Sequence, residues 1–244
     1  MNREILRIQD PLRFAKLGWP KGFTQVRIPN IDRVTKRVTH FTRHPYWFYD
    51  KQREIIYSVE RTPQTFVPAA NKVGKDFTAG FIAVKQFVTN KVCRIIATSV
   101  ADHHLRVLWG EIMRFINTSS IPLKYEDGGI LVVNDKMIRK VVNGVMCPIS
   151  YLKCMVSEKG EGLAGHHAPY TLAIGDEASG LDNLCYTQMM TWAKRMLFFG
   201  NCGTYGTVCN NFFRNAVENG PILHTEDMLI KQTDSEQFGR ISYE

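Results

Sequence analysis

Two short stretches, about a hundred residues apart, hold the side chains best suited to chemistry: Ala69-Ala70-Asn71-Lys72-Val73-Gly74-Lys75-Asp76 and Tyr170-Thr171-Leu172-Ala173-Ile174-Gly175-Asp176-Glu177. A glycine-bearing loop between a strand and a helix gathers unpaired backbone N–H groups and the positive helix end around an anion. Gly74 can take backbone angles that other residues resist, and Lys75 supplies a point charge for β/γ-phosphates. The second stretch is a short apolar run that delivers two carboxylates at its carboxyl end. There Asp176 suits the shell of a Mg²⁺ ion, and Glu177 suits the task of orienting and polarising a water. In this order and at this distance, the two read as halves of a nucleotide-hydrolysing site.

The match of the first stretch to G-x-x-x-x-G-K-[ST] departs at two places. Ala69 stands for the first glycine, and Asp76 stands where a Ser or Thr hydroxyl would hold the ion. A carboxylate is also a hard oxygen ligand, so Asp76 stays a candidate for the metal. Its charge must then be offset by the ion, Lys75 or Lys72. Each stretch also has a plainer reading: a turn with a solvated lysine, and an acidic pair opening the next helix.

The elements that must position these groups follow from periodicity. Residues 46–61 have a helical pattern that ends before Pro63, and Gln64 to Pro68 leans to β. From Asp76 to Val88, Phe77, Phe81, Val84 and Val88 share one helix face. Val92 to Thr98 reads as a strand, and Asp102 to Asn117 as a helix with Leu105, Leu108, Ile112 and Phe115 on one face. Asn143-Gly144 joins two β-leaning runs, Met137–Val142 and Val145–Val156, as a hairpin. A glycine-rich loop, Ser157 to Pro169, leads to the strand before Asp176. A helix, Leu181 to Ala193, and a strand, Arg195 to Phe199, follow. Strands alternating with helices predict an α/β fold with a mostly parallel β-sheet flanked by helices.

Within that frame the chain resembles the ATPase domain of the large terminase subunit of tailed bacteriophages, over roughly residues 45 to 215. Tyr49-Asp50-Lys51-Gln52-Arg53-Glu54-Ile55-Ile56 is similar to the segment whose glutamine reads adenine. Asn71-Lys72-Val73-Gly74-Lys75-Asp76 resembles the family's deviant Walker A, and Gly162-Leu163-Ala164-Gly165-His166-His167 a Gly-His segment before Walker B. Gly175-Asp176-Glu177-Ala178-Ser179-Gly180 resembles the Asp-Glu-Ala Walker B. Met196-Leu197-Phe198-Phe199-Gly200-Asn201 resembles the strand and coupling motif, with Cys202 in place of the usual proline.

The resemblance implies a P-loop NTPase with ATP and Mg²⁺. Glu177, Lys75 and Lys72 would be catalytic, Asp176 and Asp76 the metal residues, and Gly200 and Asn201 the coupling residues. Gln52, Asn71, Lys72, Val73, Gly74, Lys75, Asp76 and Phe77 would bind the nucleotide. It also implies double-stranded DNA, a homo-oligomeric ring on the portal protein and the small terminase subunit as partners, with packaging at the procapsid portal in the host cytoplasm. A trans-acting arginine is expected, with Arg106, Arg114 and Arg139 as candidates.

At 244 residues, 44% hydrophobic, the chain suits one large domain. The division expected is an arm or lid over 1–45, an ATPase core over 46–224 and a tail or linker over 225–244. The carboxylates after residue 205 are too few, in too little chain, for a nuclease fold. No apolar run is long enough to span a bilayer, and the N-terminus carries no signal-like apolar core. The six cysteines lack C-x-x-C spacing and read as reduced thiols, and His166 and His167 have no ligand spacing to suggest zinc. The net charge of +8 favours a polyanion partner, with Lys36, Arg37, His40, Arg43 and His44 the densest basic region. Two alternatives stay open: a helicase-like translocase, and a P-loop module that binds nucleotide or DNA without hydrolysing it.

Overall fold

The computed structural model describes residues 8–70, 73–157, 160, 162–218 and 238–240. Helix α1 (Pro11–Gly18) is capped by Asp10, which accepts from the Arg13 amide at 2.7 Å. A separate antiparallel hairpin follows, β1 (Thr24–Ile31) with β2 (Val38–Tyr46). Next come α2 (Asp50–Arg61), β3 (Gln64–Pro68), α3 (Lys75–Thr89), β4 (Cys93–Ser99) and α4 (Asp102–Thr118). Strands β5 (Leu131–Asn134), β6 (Met137–Val142), β7 (Val145–Cys154) and β8 (Tyr170–Asp176) follow, then α5 (Asn183–Met190), β9 (Arg195–Gly200), α6 (Val208–Glu218) and β10 (Phe238–Arg240).

The large sheet has the order β10-β3-β9-β8-β4-β7-β6-β5. It is parallel from β10 to β7 and antiparallel across β6 and β5. The parallel strands are buried on both sides, which is why they read as continuous apolar runs. One face, with Val67, Ile95, Ile174 and Phe199, packs against Ile56, Phe81, Val84 and Ile112 of α2, α3 and α4. The other, with Phe66, Ile96, Ala173 and Phe198, packs against Cys185, Met189 and Phe213 of α5 and α6. The result is the three-layer α/β architecture expected from the sequence. Among the described residues, no helix is long and apolar enough to cross a membrane.

Four local readings change. The helix expected from residue 46 starts at Asp50, because Tyr46 ends β2 and Tyr49 is the N-cap. The stretch expected as an arm or lid, for which no elements were read, folds into α1 and the hairpin, and its aromatics join the core. Phe14 and Trp19 are buried, and the Trp19 ring meets Phe115 edge-on at 5.2 Å. The helix expected over 181–193 is trimmed to Asn183–Met190, starting where Asp182 caps Leu184 N at 2.7 Å. Phe238–Arg240, in the stretch read as a tail, lies parallel to β3.

Candidate nucleotide site

Gly74 is the N-cap of α3, with a left-handed φ of 81° that a residue bearing a Cβ adopts only under strain. A Cβ there would also come within 2.7 Å of Gln52 Nε2. The turn is tied down from both sides. Thr78 donates to the Gly74 carbonyl through its amide and its hydroxyl, at 3.0 and 2.9 Å. From the other side Gln52 Nε2 reaches the same carbonyl at 3.4 Å, and the Tyr49 hydroxyl donates to Val73 O at 2.7 Å. The Tyr46 hydroxyl in turn bonds Gln52 Oε1. Gln52 is thus 2% exposed, at the α2 end beside the loop. Asn71 and Lys72 lie outside the described residues. Phe77 turns its ring into the aromatic cluster, 4.9 Å from Phe115 and 5.2 Å from Phe23.

Strand β9 separates β3 from β8 and pairs with both. All three end on the same side of the sheet, where parallel α/β folds bind ligands. The Lys75 ammonium therefore contacts Glu177 Oε1 directly, and it stands 3.9 Å from Asp176 Oδ1. Asp76, the next residue of α3, completes a set of three carboxylates around one described lysine.

Glu177 has a left-handed φ of 47°, uncommon for a residue with a side chain. It turns β8 into the short 3-10 segment Ala178–Gly180. Gly200 ends β9 against that turn. A Cβ on Gly200 would lie 3.0 Å from Glu177 Cα and 3.1 Å from Ala178 N, so only glycine lets the strands close this far. The Gly200 carbonyl also accepts from Ala69 N at 2.9 Å, which links both halves of the site through one residue. Asn201 follows directly.

Burial raises the Asp176 carboxyl to about 7, and the nearby Asp76 charge adds to the rise. Asp76 is raised too, mainly by burial, with Lys75 opposing. Asp176 Oδ1 has no hydrogen-bond partner among the described residues. A buried acceptor with no hydrogen bond, faced by the Lys75 ammonium only at 3.9 Å and lying beside a second carboxylate, suits a cation. Among the described residues, no cluster of three or more His, Cys, Asp or Glu side chains is placed to hold a metal. A Mg²⁺ ion needs none, since it is commonly held by one or two carboxylates together with substrate phosphates. Asp176 and Asp76 fit that pattern.

Three groups went unread in the sequence. His104, in the first turn of α4, feels the charges of Glu177, Lys75 and Asp76, and burial lowers its pKa. Only the strand-to-helix junction before it hinted at this place. Asn210 is fully buried and shapes the loop after β9, bonding Gly203 N at 2.8 Å, Gly203 O at 3.0 Å and Tyr205 O at 2.6 Å. Thr207 Oγ1 donates to Ser179 O at 2.5 Å and ties that loop to the turn behind Glu177.

The remaining candidates are placed as follows. Arg106 bonds Asp102 at 2.8 Å, Arg114 meets Glu111 at 3.4 Å, and Arg139 lies on β6. His166 is a loop strut, bonded to the Tyr151 hydroxyl at 2.6 Å and to Gly162 O at 2.7 Å. Among the described residues none of the six cysteines forms a disulfide, and four of them are buried.

No family model and no curated protein matches the sequence. Solved structures do. A variant of the ATPase domain of the Thermus phage P74-26 large terminase matches with a TM-score of 0.59 at 13% identity, over 81% of this chain and 82% of that one. The large terminase of bacteriophage HK97 matches at 0.54 and 14%, over 82% of this chain and 40% of that one. A large terminase from a thermophilic bacteriophage matches at 0.51 and 12%, over 81% of this chain and 46% of that one. The chain thus spans under half the length of the last two terminases. Such low identity speaks to the fold alone, and the fold is that of the ATPase domains of bacteriophage large terminases: an α/β P-loop domain with a mostly parallel sheet.

Proposed function

We propose that this chain is the ATPase motor domain of a viral terminase large subunit, coupling Mg²⁺-dependent ATP hydrolysis to translocation of double-stranded DNA into a procapsid. The observation that carries it is the meeting of Lys75 with Asp176 and Glu177 at the carboxyl end of the parallel strands, with Gly200 closed against the same turn.

In this reading Lys75 and Lys72 neutralise the phosphates, and the α3 N-terminus offers them its amides. Asp176 and Asp76 hold Mg²⁺, which supplies positive charge against the charge that develops on the phosphoryl oxygens. Two groups compete for the Lys75 ammonium, the Glu177 carboxylate and the incoming phosphates. Exchanging the first for the second frees Glu177 to orient the attacking water. Gln52 lies beside the loop to select adenine. Gly200 and Asn201 pass the state of the site to the loop that Asn210 and Thr207 hold together.

The hairpin supports the DNA partner. Arg33, Lys36, Arg37 and Arg43 are exposed on it. Its single acid, Asp32, is spent on its own turn, accepting from Val34 N, Thr35 N and Thr35 Oγ1. Such an arm suits salt-sensitive contacts to phosphates. A homo-oligomeric ring on the portal protein, together with the small terminase subunit, belongs to the same reading.

The test is ATP hydrolysis by the chain with Mg²⁺, with and without double-stranded DNA, beside Lys75→Ala and Glu177→Ala. Activity lost in both variants and raised by DNA supports the motor. Nucleotide binding with no turnover, even after enforced assembly, would replace it with a non-hydrolysing P-loop module.

A further inference from the structure

Four buried side-chain oxygens among the described residues have no hydrogen-bond partner: Thr98 Oγ1, Ser99 Oγ, Tyr170 Oη and Asp176 Oδ1. Folded proteins leave few such groups, and each one needs a reason. Two of these four are cross-strand neighbours, because β4 and β8 run parallel with Ser99 opposite Asp176. Registered partners in adjacent strands project from the same face. Ile95 and Ala97 on β4, and Leu172 and Ile174 on β8, alternate with them onto the face packed by α3 and α4. That is also the face of Lys75. Thr98 projects from the opposite face, and Tyr170 lies at the far end of β8.

Ser99 is fully buried and Asp176 is 2% exposed. A hydroxyl with no hydrogen bond and a carboxylate oxygen whose one described partner is the Lys75 ammonium at 3.9 Å thus sit together beside the site. The phosphate loop, meanwhile, lacks a hydroxyl where G-x-x-x-x-G-K-[ST] would place one, since Asp76 occupies that position. Beyond Ser99, His104 in the first turn of α4 feels the charges of Glu177, Lys75 and Asp76. Helix α4 starts at Asp102 with no side-chain cap from Ala101, and Lys136 and Arg106 both pin Asp102.

We propose that Ser99 is a further binding residue of this pocket, its hydroxyl serving the divalent cation and terminal phosphate beside Asp176 in place of the hydroxyl missing at position 76. The proposal rests on reading the site as a Mg²⁺–nucleotide pocket.

The test is the affinity for a fluorescent ADP analogue, with and without Mg²⁺, for the wild type, Ser99→Ala and Lys75→Ala, together with urea stability in the absence of ligand. Ser99→Ala should weaken Mg²⁺-dependent binding about tenfold, the scale of one hydrogen bond in a charged site. Its metal-free binding should stay level, and its unliganded stability should hold or rise as an unmet buried hydroxyl is removed. Ser99→Cys should recover the metal-dependent gain with Cd²⁺ better than with Mg²⁺, because a thiol favours the softer ion. A wild-type gain from Mg²⁺ that Ser99→Ala fully retains overturns the role of Ser99 and leaves the pocket standing. Marked loss of unliganded stability in Ser99→Ala makes the residue structural and also overturns the proposal. A wild type that binds the analogue with no Mg²⁺ gain, or not at all, sinks the pocket reading itself, and Ser99 with it.

Discussion

Replacing Asp176 with Asn tests the electrostatics of the site without any assay of turnover. The side chain is almost wholly buried, and its carboxyl is pushed to about 7 from the ordinary aspartate value of 3.8. At about 1.4 kcal/mol per pH unit, that gap is worth about 4 kcal/mol. The sign follows from proton binding. Between the two values the folded protein holds a proton on Asp176 that the unfolded chain has released. The contribution to stability is therefore complete below about pH 4 and is lost as the pH rises through about 7. Asn keeps the shape and cannot ionise. Its own amide is poorly met, at a cost of about 1–3 kcal/mol that does not vary with pH. The stability of Asp176→Asn relative to wild type should therefore climb by about 4 kcal/mol between pH 4 and pH 8, most steeply between 5 and 7. Urea unfolding without divalent ions, at four or five pH values, measures it directly. A difference that stays level across that range would refute the argument, since it would mean that Asp176 ionises in the fold as easily as in the open chain. Adding Mg²⁺ at pH 8 should raise wild-type stability and leave Asp176→Asn almost unmoved.

Three further outcomes follow from the same geometry. Glu177→Gln removes the carboxylate that competes for Lys75, so nucleotide binding should hold or tighten while single-turnover hydrolysis falls by several orders of magnitude; retained turnover would assign the base elsewhere. Gly200→Ala puts a Cβ 3.0 Å from Glu177 Cα, so turnover should drop at least tenfold while stability falls by only about 1–3 kcal/mol, read from paired kinetic and urea measurements. Neutralising Arg33, Lys36, Arg37 and Arg43 together to Gln should flatten the salt dependence of DNA binding by about 0.9 log units per lost phosphate contact, with DNA-free ATPase activity preserved; an unchanged slope would free the hairpin from that role.

The parts of the fold that were legible in the sequence are those whose burial is one-sided or complete. Phe81, Val84 and Val88 announce α3 because one face of that helix meets the sheet. Asn143-Gly144 announces its hairpin because both residues take positive φ, at 53° and 76°. The β1–β2 hairpin gave no such signal. Val38 and Phe41 are about half exposed, so apolar residues do not alternate with polar ones along β2. Strand β5 is four residues at the sheet edge with Leu131 alone buried, too short for a period to show. The loop and the acidic pair were readable because each is contiguous in the chain. The companions of Asp176 were not: Ser99 and His104 reach the site through strand register and helix placement, and neither residue type is unusual where it stands. The closure of Gly200 on Glu177 is likewise a fact of strand order, with β9 lying between the two motifs that frame the chemistry.

The antiparallel end of the sheet has a practical use. The strands that carry the chemistry all finish on one side, and the β5–β6 turn shares that side, where Lys136 reaches Asp102. Strand β7 runs parallel to β4, so its first residues and the Asn143-Gly144 turn lie on the other side. Val145 and Met146 are open to solvent there, and nothing lies within 4 Å of a Cβ built on Gly144. A dye, a surface tether or a short peptide tag set into that turn would sit a full strand length from Lys75 and Glu177. Force and fluorescence could then be read from a chain whose working edge is untouched.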